Sequence, residues 1–275
     1  MKTNLYYFSG TGNSLYIAKT IKEEMEKIEN KEVNIYKVAI LPIQKYVNSE
    51  NIQDSSDIVG IIYPTYFLDA PNVVKEFASR LELKQDCYLF LYANYGETLG
   101  NALHNMNKIL TPSKVKGNYE VALPDNSIIF ETKKEEIPKM LNVAKKVIKA
   151  QAKQIIQQEI TPKSPYSFKY HLVSLGMKPF ARKGLGFEKM KVDTTSCSGC
   201  GLCEKICPMK NIHMEEDKAG VKTPAFEKKC ESCFSCLHYC PNESIRYQRM
   251  NKKKVDFQYK HPKISISEMV EARKN

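Results

Sequence analysis

Eight of the nine cysteines lie between Cys197 and Cys240, in two copies of one spelling. The first copy is Cys197, Cys200, Cys203 and Cys207 followed by Pro208; the second is Cys230, Cys233, Cys236 and Cys240 followed by Pro241. Each reads C-x2-C-x2-C-x3-C-P. The step from Cys197 to Cys230 and from Cys207 to Cys240 is the same 33 positions, and Ile212 and Ile245 keep it beyond the prolines. The segment is an internal repeat, so whatever the first copy builds the second builds again.

Three thiolates spaced by two residues curl around one face of a cuboidal iron–sulfur cluster, and the cysteine before the proline reaches the cluster of the other copy. On that rule Cys197, Cys200, Cys203 and Cys240 hold one [4Fe-4S] cluster and Cys207, Cys230, Cys233 and Cys236 hold a second. Ser198, Gly199 and Gly201 in one copy, and Ser232 and Ser235 in the other, are small enough to let backbone N–H groups approach the sulfurs. Structural zinc favours paired C-x2-C halves across a longer loop, and disulfides favour short secreted chains, so both fit the spacing poorly. Residues 188–250 resemble a bacterial two-cluster ferredoxin. That resemblance implies a small α+β domain whose clusters tie its halves together in place of a large core.

A chain of 275 residues exceeds what one such domain needs, and its length suggests a second domain. With 42% hydrophobic and 27% charged residues and no run of eighteen apolar positions, a spanning helix is not expected. The apolar part of Met1–Phe8 is too short for a signal peptide, so a cytoplasmic setting with reduced cysteines is expected. The net charge of +11 asks for a partner or a reason.

The first half alternates β-prone and helix-periodic stretches. Residues 3–8 read as a strand, followed by the loop Ser9, Gly10, Thr11, Gly12, Asn13 and Ser14. Leu15, Ile17, Ala18, Ile21, Met25 and Ile28 then form a helical stripe. Strand, Gly/Ser/Thr loop and helix N-terminus make a cup for phosphate. The dinucleotide spelling is excluded by Leu15 where a glycine belongs, and the P-loop by the lack of lysine. Further strands are expected at Val33–Val38, Asp57–Tyr63, Cys87–Ala93 and Tyr119–Leu123. Helices are expected from near Pro71, through Leu99–Leu110, and over Ile137–Ile156. The pattern reads as an open, doubly wound, five-stranded parallel sheet.

Ligands of such sheets sit beyond the carboxyl ends of the strands. Three strand ends carry suitable residues: Ser9–Ser14; Pro64, Thr65, Tyr66, Phe67 and Leu68; and Asn94, Tyr95 and Gly96. Phosphate at the first and a flat ring stacked on the aromatics of the others describe FMN. Here residues 1–157 resemble the short-chain flavodoxins, although the chain has no tryptophan and is basic where flavodoxins are commonly acidic. The whole chain resembles the flavodoxin/ferredoxin fusions of anaerobes. The resemblance implies FMN and two [4Fe-4S] clusters in one polypeptide that passes electrons between them.

Residues 158–187 then form a connector and residues 251–275 a tail, both basic. Over residues 160–192 Lys163, Lys169, Lys178, Arg182, Lys183, Lys189 and Lys191 stand against Glu188, a net of +6. In the tail Lys252, Lys253, Lys254, Lys260, Lys263, Arg273 and Lys274 stand against Asp256, Glu268 and Glu271, a net of +4. Such runs are solvated faces first and docking sites for redox proteins, acidic ones among them, second. Residues 166–173 are expected to include a short amphipathic helix. His238 is expected at the surface near a cluster, and Cys87 as a buried small hydrophobe. No catalytic arrangement is assignable, and a homo-oligomer stays open. Two other functions compete with electron transfer: a cluster-stapled basic protein binding nucleic acid or an acidic partner, and a flavin-dependent reductase of a quinone or other small molecule.

Overall fold

The computed structural model describes residues 1–27, 36–110, 115–127, 130–216, 218–249 and 258–274. The chain divides into two compact units. The first comprises Met1–Ser9, Asn13–Asp125 and Phe130–Ser174; the second comprises Gly10–Gly12, Asn126–Ile129 and Leu175–Asn275.

In the first unit β1 (Lys2–Tyr7) leads to α1 (Asn13–Glu26), β2 (Lys37–Pro42), the short β3 (Ile52–Asp54) and β4 (Ile58–Pro64). Then come α2 (Asn72–Ser79), the short β5 (Leu81–Leu83), β6 (Tyr88–Tyr95), α3 (Ala102–Ile109), β7 (Val115–Ala122) and α4 (Ile137–Ile156). Five strands pair in parallel in the order β2-β1-β4-β6-β7, which is the flavodoxin-like order of an open α/β sheet. The central strands are apolar because helices cover both faces of a parallel sheet: Ile58–Tyr63 and Tyr88–Asn94 are buried throughout. α1 buries Leu15, Ile17, Ala18, Ile21 and Met25, the expected stripe; Ile28 lies outside the described residues. α4 turns Ala144, Ile148, Ala152 and Ile155 inward at helical spacing.

Two expectations shift. The second strand is Lys37–Pro42 rather than Val33–Val38, with Val33, Asn34 and Ile35 outside the described residues. Its register against β1 runs from Lys2↔Lys37 to Tyr7↔Pro42, so its apolar stretch is Val38–Leu41. The fifth strand begins earlier, at Val115, because Gly117, Asn118 and Tyr119 pair with Phe90, Leu91 and Tyr92. The two-stranded parallel sheet β3–β5 had no sequence signal: three residues are too few to show a period.

The helix α5 (Phe168–Pro179) crosses from one unit to the next in sequence. The second unit then holds β8 (Met190–Val192), α6 (Leu202–Ile206), β9 (Ile212–Glu216), β10 (Lys222–Phe226), α7 (Ser235–Tyr239) and β11 (Ile245–Tyr247). The repeat is structural as well: α7 starts and ends 33 positions after α6, and β11 starts 33 after β9. Each strand pairs with one from the other copy, β9 with β10 and β8 with β11, both antiparallel. The unit closes with α8 (Ile266–Glu271), whose start is fixed by a capping box between Ser265 and Glu268.

A glycine tests the packing of the parallel sheet. A Cβ at Gly60 on β4 would fall 2.3 Å from Cζ of the fully buried Phe90. Gly60→Ala is expected to destabilise the protein by about 1–3 kcal/mol, the usual cost of overpacking a core. Gly176→Ala on α5, where a Cβ meets nothing within 4 Å, is expected to stabilise by up to about 1 kcal/mol. Denaturant unfolding reads both, and a Gly60→Ala protein as stable as Gly176→Ala contradicts this packing.

Candidate redox centres

The two short helices carry the cysteines to their places. α6 begins after Gly201 and ends at Cys207; α7 begins after Phe234 and ends at Cys240. The residues before both helices are left-handed, Gly201 at φ 70° and Phe234 at φ 54°. The same conformation repeats at Gly199 and Ser232 (67° and 56°) and at Lys210 and Glu243 (48° and 50°). Glycine takes this conformation freely, whereas Ser232 and Phe234 pay for it in strain. The second copy therefore holds the first copy's backbone against its own side-chain preference.

Two cavities result. One is lined by Cys197, Cys200, Cys203 and Cys240 and is partly open to solvent. The other is lined by Cys207, Cys230, Cys233 and Cys236. Each takes three sulfurs from one run and the fourth from the other. The sulfurs ring these hollows; among the described residues no three His, Cys, Asp or Glu side chains converge as one metal ion needs. The cavities differ in exposure: Cys200 of the first is exposed, whereas Cys233 and Cys236 of the second are buried.

Backbone amides face the sulfurs. Asn211 N donates to Cys207 Sγ (3.3 Å), Ser232 N to Cys230 Sγ (3.3 Å) and Ser244 N to Cys240 Sγ (3.2 Å). Such bonds favour negative charge on sulfur and tune any cluster it holds. Burial, reinforced by neighbouring cysteines, pushes the Cys203 and Cys207 thiols up to about 11 and Cys230 to about 12. It lifts Cys233 and Cys236 as well. Iron must displace protons held this tightly, so loading and folding are coupled.

His238 departs from expectation. It is only 2% exposed, with Nε2 donating to Asn126 O (2.8 Å) and Nδ1 accepting from Tyr259 N (3.2 Å). Burial drives its pKa down to about 4. It lines neither cavity and serves instead as a buried polar tie. The tail departs too: Tyr259, Ile264 and Met269 are buried, where a solvated basic face was expected. The Ser265-x-x-Glu268 capping spelling was the sequence signal for this ordered end; Lys252, Lys253, Lys254 and Asp256 lie outside the described residues. Cys87 is buried and its thiol pushed up to about 11 by that burial, as a small core hydrophobe.

The three loops expected around a flavin divide between the units. In the first unit Asn94 ties two strand ends together. Its Nδ2 donates to Ser14 Oγ (2.8 Å) and to Tyr63 O (3.0 Å), and its carbonyl accepts from Thr65 N (2.7 Å). Residues 66–69 close a tight turn in which Tyr66 N donates to Asp69 O (2.8 Å) and Asp69 N to Tyr66 O (3.1 Å). The two central residues, Phe67 and Leu68, are both left-handed, at φ 54° and 64°. Two bulky residues in that region are a strained arrangement, on the order of 1–3 kcal/mol each.

The surroundings hold the turn. Asn101 N donates to Leu68 O (2.9 Å), Ser174 Oγ to Phe67 O (3.0 Å), and Lys75 and Asn105 bind the Asp69 carboxylate (2.7 and 3.0 Å). Gly100 admits the Leu68 backbone where any Cβ would fall 2.5 Å from Leu68 O. The Lys75 and Asn105 contacts keep the half-buried Asp69 carboxyl below its usual range although its burial, the largest single effect, acts the other way. Within the same loop Thr65 Oγ1 is buried without a hydrogen-bond partner. Pro64, Tyr66, Tyr95 and Gly96 are half-buried beside it.

Gly10, Thr11 and Gly12 belong to the second unit. Ser235 Oγ donates to Gly10 O (2.5 Å), His261 N to Thr11 O (2.9 Å), and Asn126 Nδ2 to Thr11 Oγ1 (3.0 Å). In a trans peptide the N–H points opposite the C=O, so the N–H groups of Thr11 and Gly12 point away from Ser235 and His261. Gly12, at φ 102°, packs on His261 and Ile264, where a Cβ would sit 3.1 Å from each. Ser9 and Asn13 are buried in the first unit, with Asn13 Nδ2 donating to Pro124 O (3.2 Å). Asn126, Ser235 and His261 were invisible as loop neighbours in the sequence, since they lie more than a hundred positions away.

Residues 196–245 match the family model of the 4Fe-4S dicluster domain. Over 65 residues the chain is 31% identical to an uncharacterised ferredoxin of Methanocaldococcus jannaschii, covering 24% of this chain and 84% of that protein. Over 59 residues it is 30% identical to a ferredoxin of Pyrobaculum islandicum, covering 22% of this chain and 52%, about half, of that one. The chain belongs to the ferredoxin family through its second unit.

Among solved structures it is similar to a Streptococcus pneumoniae flavodoxin (13% identity, 55% of this chain and 99% of that one, TM-score 0.34). It is also similar to an azoreductase from Bacillus anthracis (8% identity, 56% and 99%, TM-score 0.42). The fold of the first unit rests on its strand order rather than on these distant likenesses. The chain thus joins a flavodoxin-like fold to a ferredoxin domain. Among the described residues no helix is long and apolar enough to cross a membrane.

His261 gives the second unit a pH dependence. Burial keeps it neutral down to about 4, against about 6.5 in an unfolded chain. Between those values the unfolded state binds more protons. Stability is therefore full above about pH 6.5 and falls as pH drops toward 4, by on the order of 2–3 kcal/mol. In His261→Gln that part of the slope is expected to vanish in denaturant unfolding followed across pH. An unchanged slope contradicts the assignment.

Proposed function

We propose that the chain transfers electrons between FMN and two [4Fe-4S] clusters within one polypeptide, exchanging them with separate redox proteins. In this reading residues 1–157 form the flavin domain and residues 188–250 the cluster domain. Cys197, Cys200, Cys203 and Cys240 hold one cluster, and Cys207, Cys230, Cys233 and Cys236 the other. What supports the ligand sets is the three-plus-one lining of each cavity.

FMN would be held at its phosphate by the loop Ser9–Ser14. Its ring would lie against Pro64–Leu68 and Asn94–Gly96. A strained turn braced from several sides, and the orphaned Thr65 Oγ1 beside it, are the features expected where a ligand completes a loop. When bound, the flavin supplies one- or two-electron chemistry and the clusters one-electron steps.

The observation that carries the reading is the bond from Ser235 Oγ to Gly10 O. Ser235 stands between Cys233 and Cys236, and Gly10 is in the phosphate loop. Within the second unit, loop tip and cluster helix are in direct contact. The residues of α7 thus have two tasks, presenting sulfurs and fixing the tip that receives phosphate.

Anaerobic preparation with iron, sulfide and flavin counts tests the cofactors. About eight iron and one FMN per chain are expected. A preparation that takes up iron but no FMN, even when FMN is supplied in excess, rejects the flavin half. Cys240→Ala is expected to cost the cluster of Cys197, Cys200 and Cys203, lowering iron to about four while the second cluster's spectrum persists. Loss of the other cluster alone overturns the crossed assignment.

A further inference from the structure

Arg273 is 8% exposed, and its guanidinium lies inside the second unit. Its Nε donates to Ile206 O at 3.2 Å. Ile206 is fully buried, ends α6 and immediately precedes Cys207, which lines the more buried cavity. Arg273 follows the C-cap of α8, whose first turn is fixed by the Ser265–Glu268 capping box and whose Met269 is completely buried. The bond therefore ends one residue from Cys207, which shares its cavity with Cys233. Arg182 also reaches this region, with Nη2 donating to Cys230 O (3.2 Å) and Nε donating to the Glu188 carboxylate (3.0 Å).

We propose that Arg273 tunes the cluster held by Cys207, Cys230, Cys233 and Cys236, its buried positive charge favouring that cluster's reduced form. The inference rests on the cluster reading above. A cluster bound by four thiolates is anionic, and taking up one electron adds a further negative charge. Burial disfavours that extra charge, and a fixed cation nearby offsets the penalty because the low dielectric weakens its field little. Arg273 thereby raises the potential of the inner cluster and makes it a better electron acceptor. It acts through the field at the sulfurs and is a tuning residue, not a ligand.

The test is an anaerobic redox titration followed by electron paramagnetic resonance on the complete, iron-loaded protein. Arg273→Gln is expected to shift one cluster to a more negative potential by about tenfold in its one-electron equilibrium, which corresponds to 59 mV. The other cluster should stay in place, and Arg273→Lys, which keeps the charge, should recover most of the shift. If Arg273→Gln does not assemble, Ser265→Ala keeps the arginine but loosens its helix, and a smaller shift of the same sign is expected. A fully loaded variant whose two potentials match those of the parent overturns the inference. Iron and sulfide counts that fall short in the unaltered protein instead count against the cluster reading itself.

Discussion

Crossed pairing of two cysteine runs is the constraint on which the second unit depends. Each cavity needs a sulfur from the other copy, so neither half is complete alone. The strands obey the same rule, since β9 pairs with β10 and β8 with β11 across the repeat. A domain with few large apolar residues gains cooperativity this way. Its halves cannot separate without exposing thiols that burial otherwise keeps protonated. The strain accepted at Ser232 and Phe234 shows how strongly the shared geometry is imposed.

A second kind of constraint acts in the first unit. A parallel sheet puts its loops at the carboxyl ends of adjacent strands, and Asn94 locks two of them through Ser14 and Thr65. The turn at Phe67 and Leu68 is costly and is kept by Asn101, Ser174, Lys75 and Asn105. Strain braced by this many contacts belongs to a loop shaped for a task, because an idle loop would relax to a cheaper conformation.

Much of this was legible beforehand. The cysteine spacing alone indicated the three-plus-one cavities, and the stripe of Leu15, Ile17, Ala18, Ile21 and Met25 gave α1 its buried face. Ile137–Ile156 is a helix with those bounds. Local patterns do not carry long-range partners, however. That Ser235 bonds Gly10, that His238 is buried on Asn126 and Tyr259, and that Arg273 reaches Ile206 depend on packing between distant segments. The tail was misjudged because its lysines dominated the composition, while a few apolar anchors and one capping box decided its fate.

The central claim is that flavin and clusters exchange electrons inside one chain. Flash reduction of the flavin in the loaded protein, with cluster reduction followed optically over a wide range of protein concentration, tests it most directly. A first-order transfer whose rate does not change on dilution is expected. A rate that falls in proportion to protein concentration would mean that electrons pass only between molecules, and would contradict it.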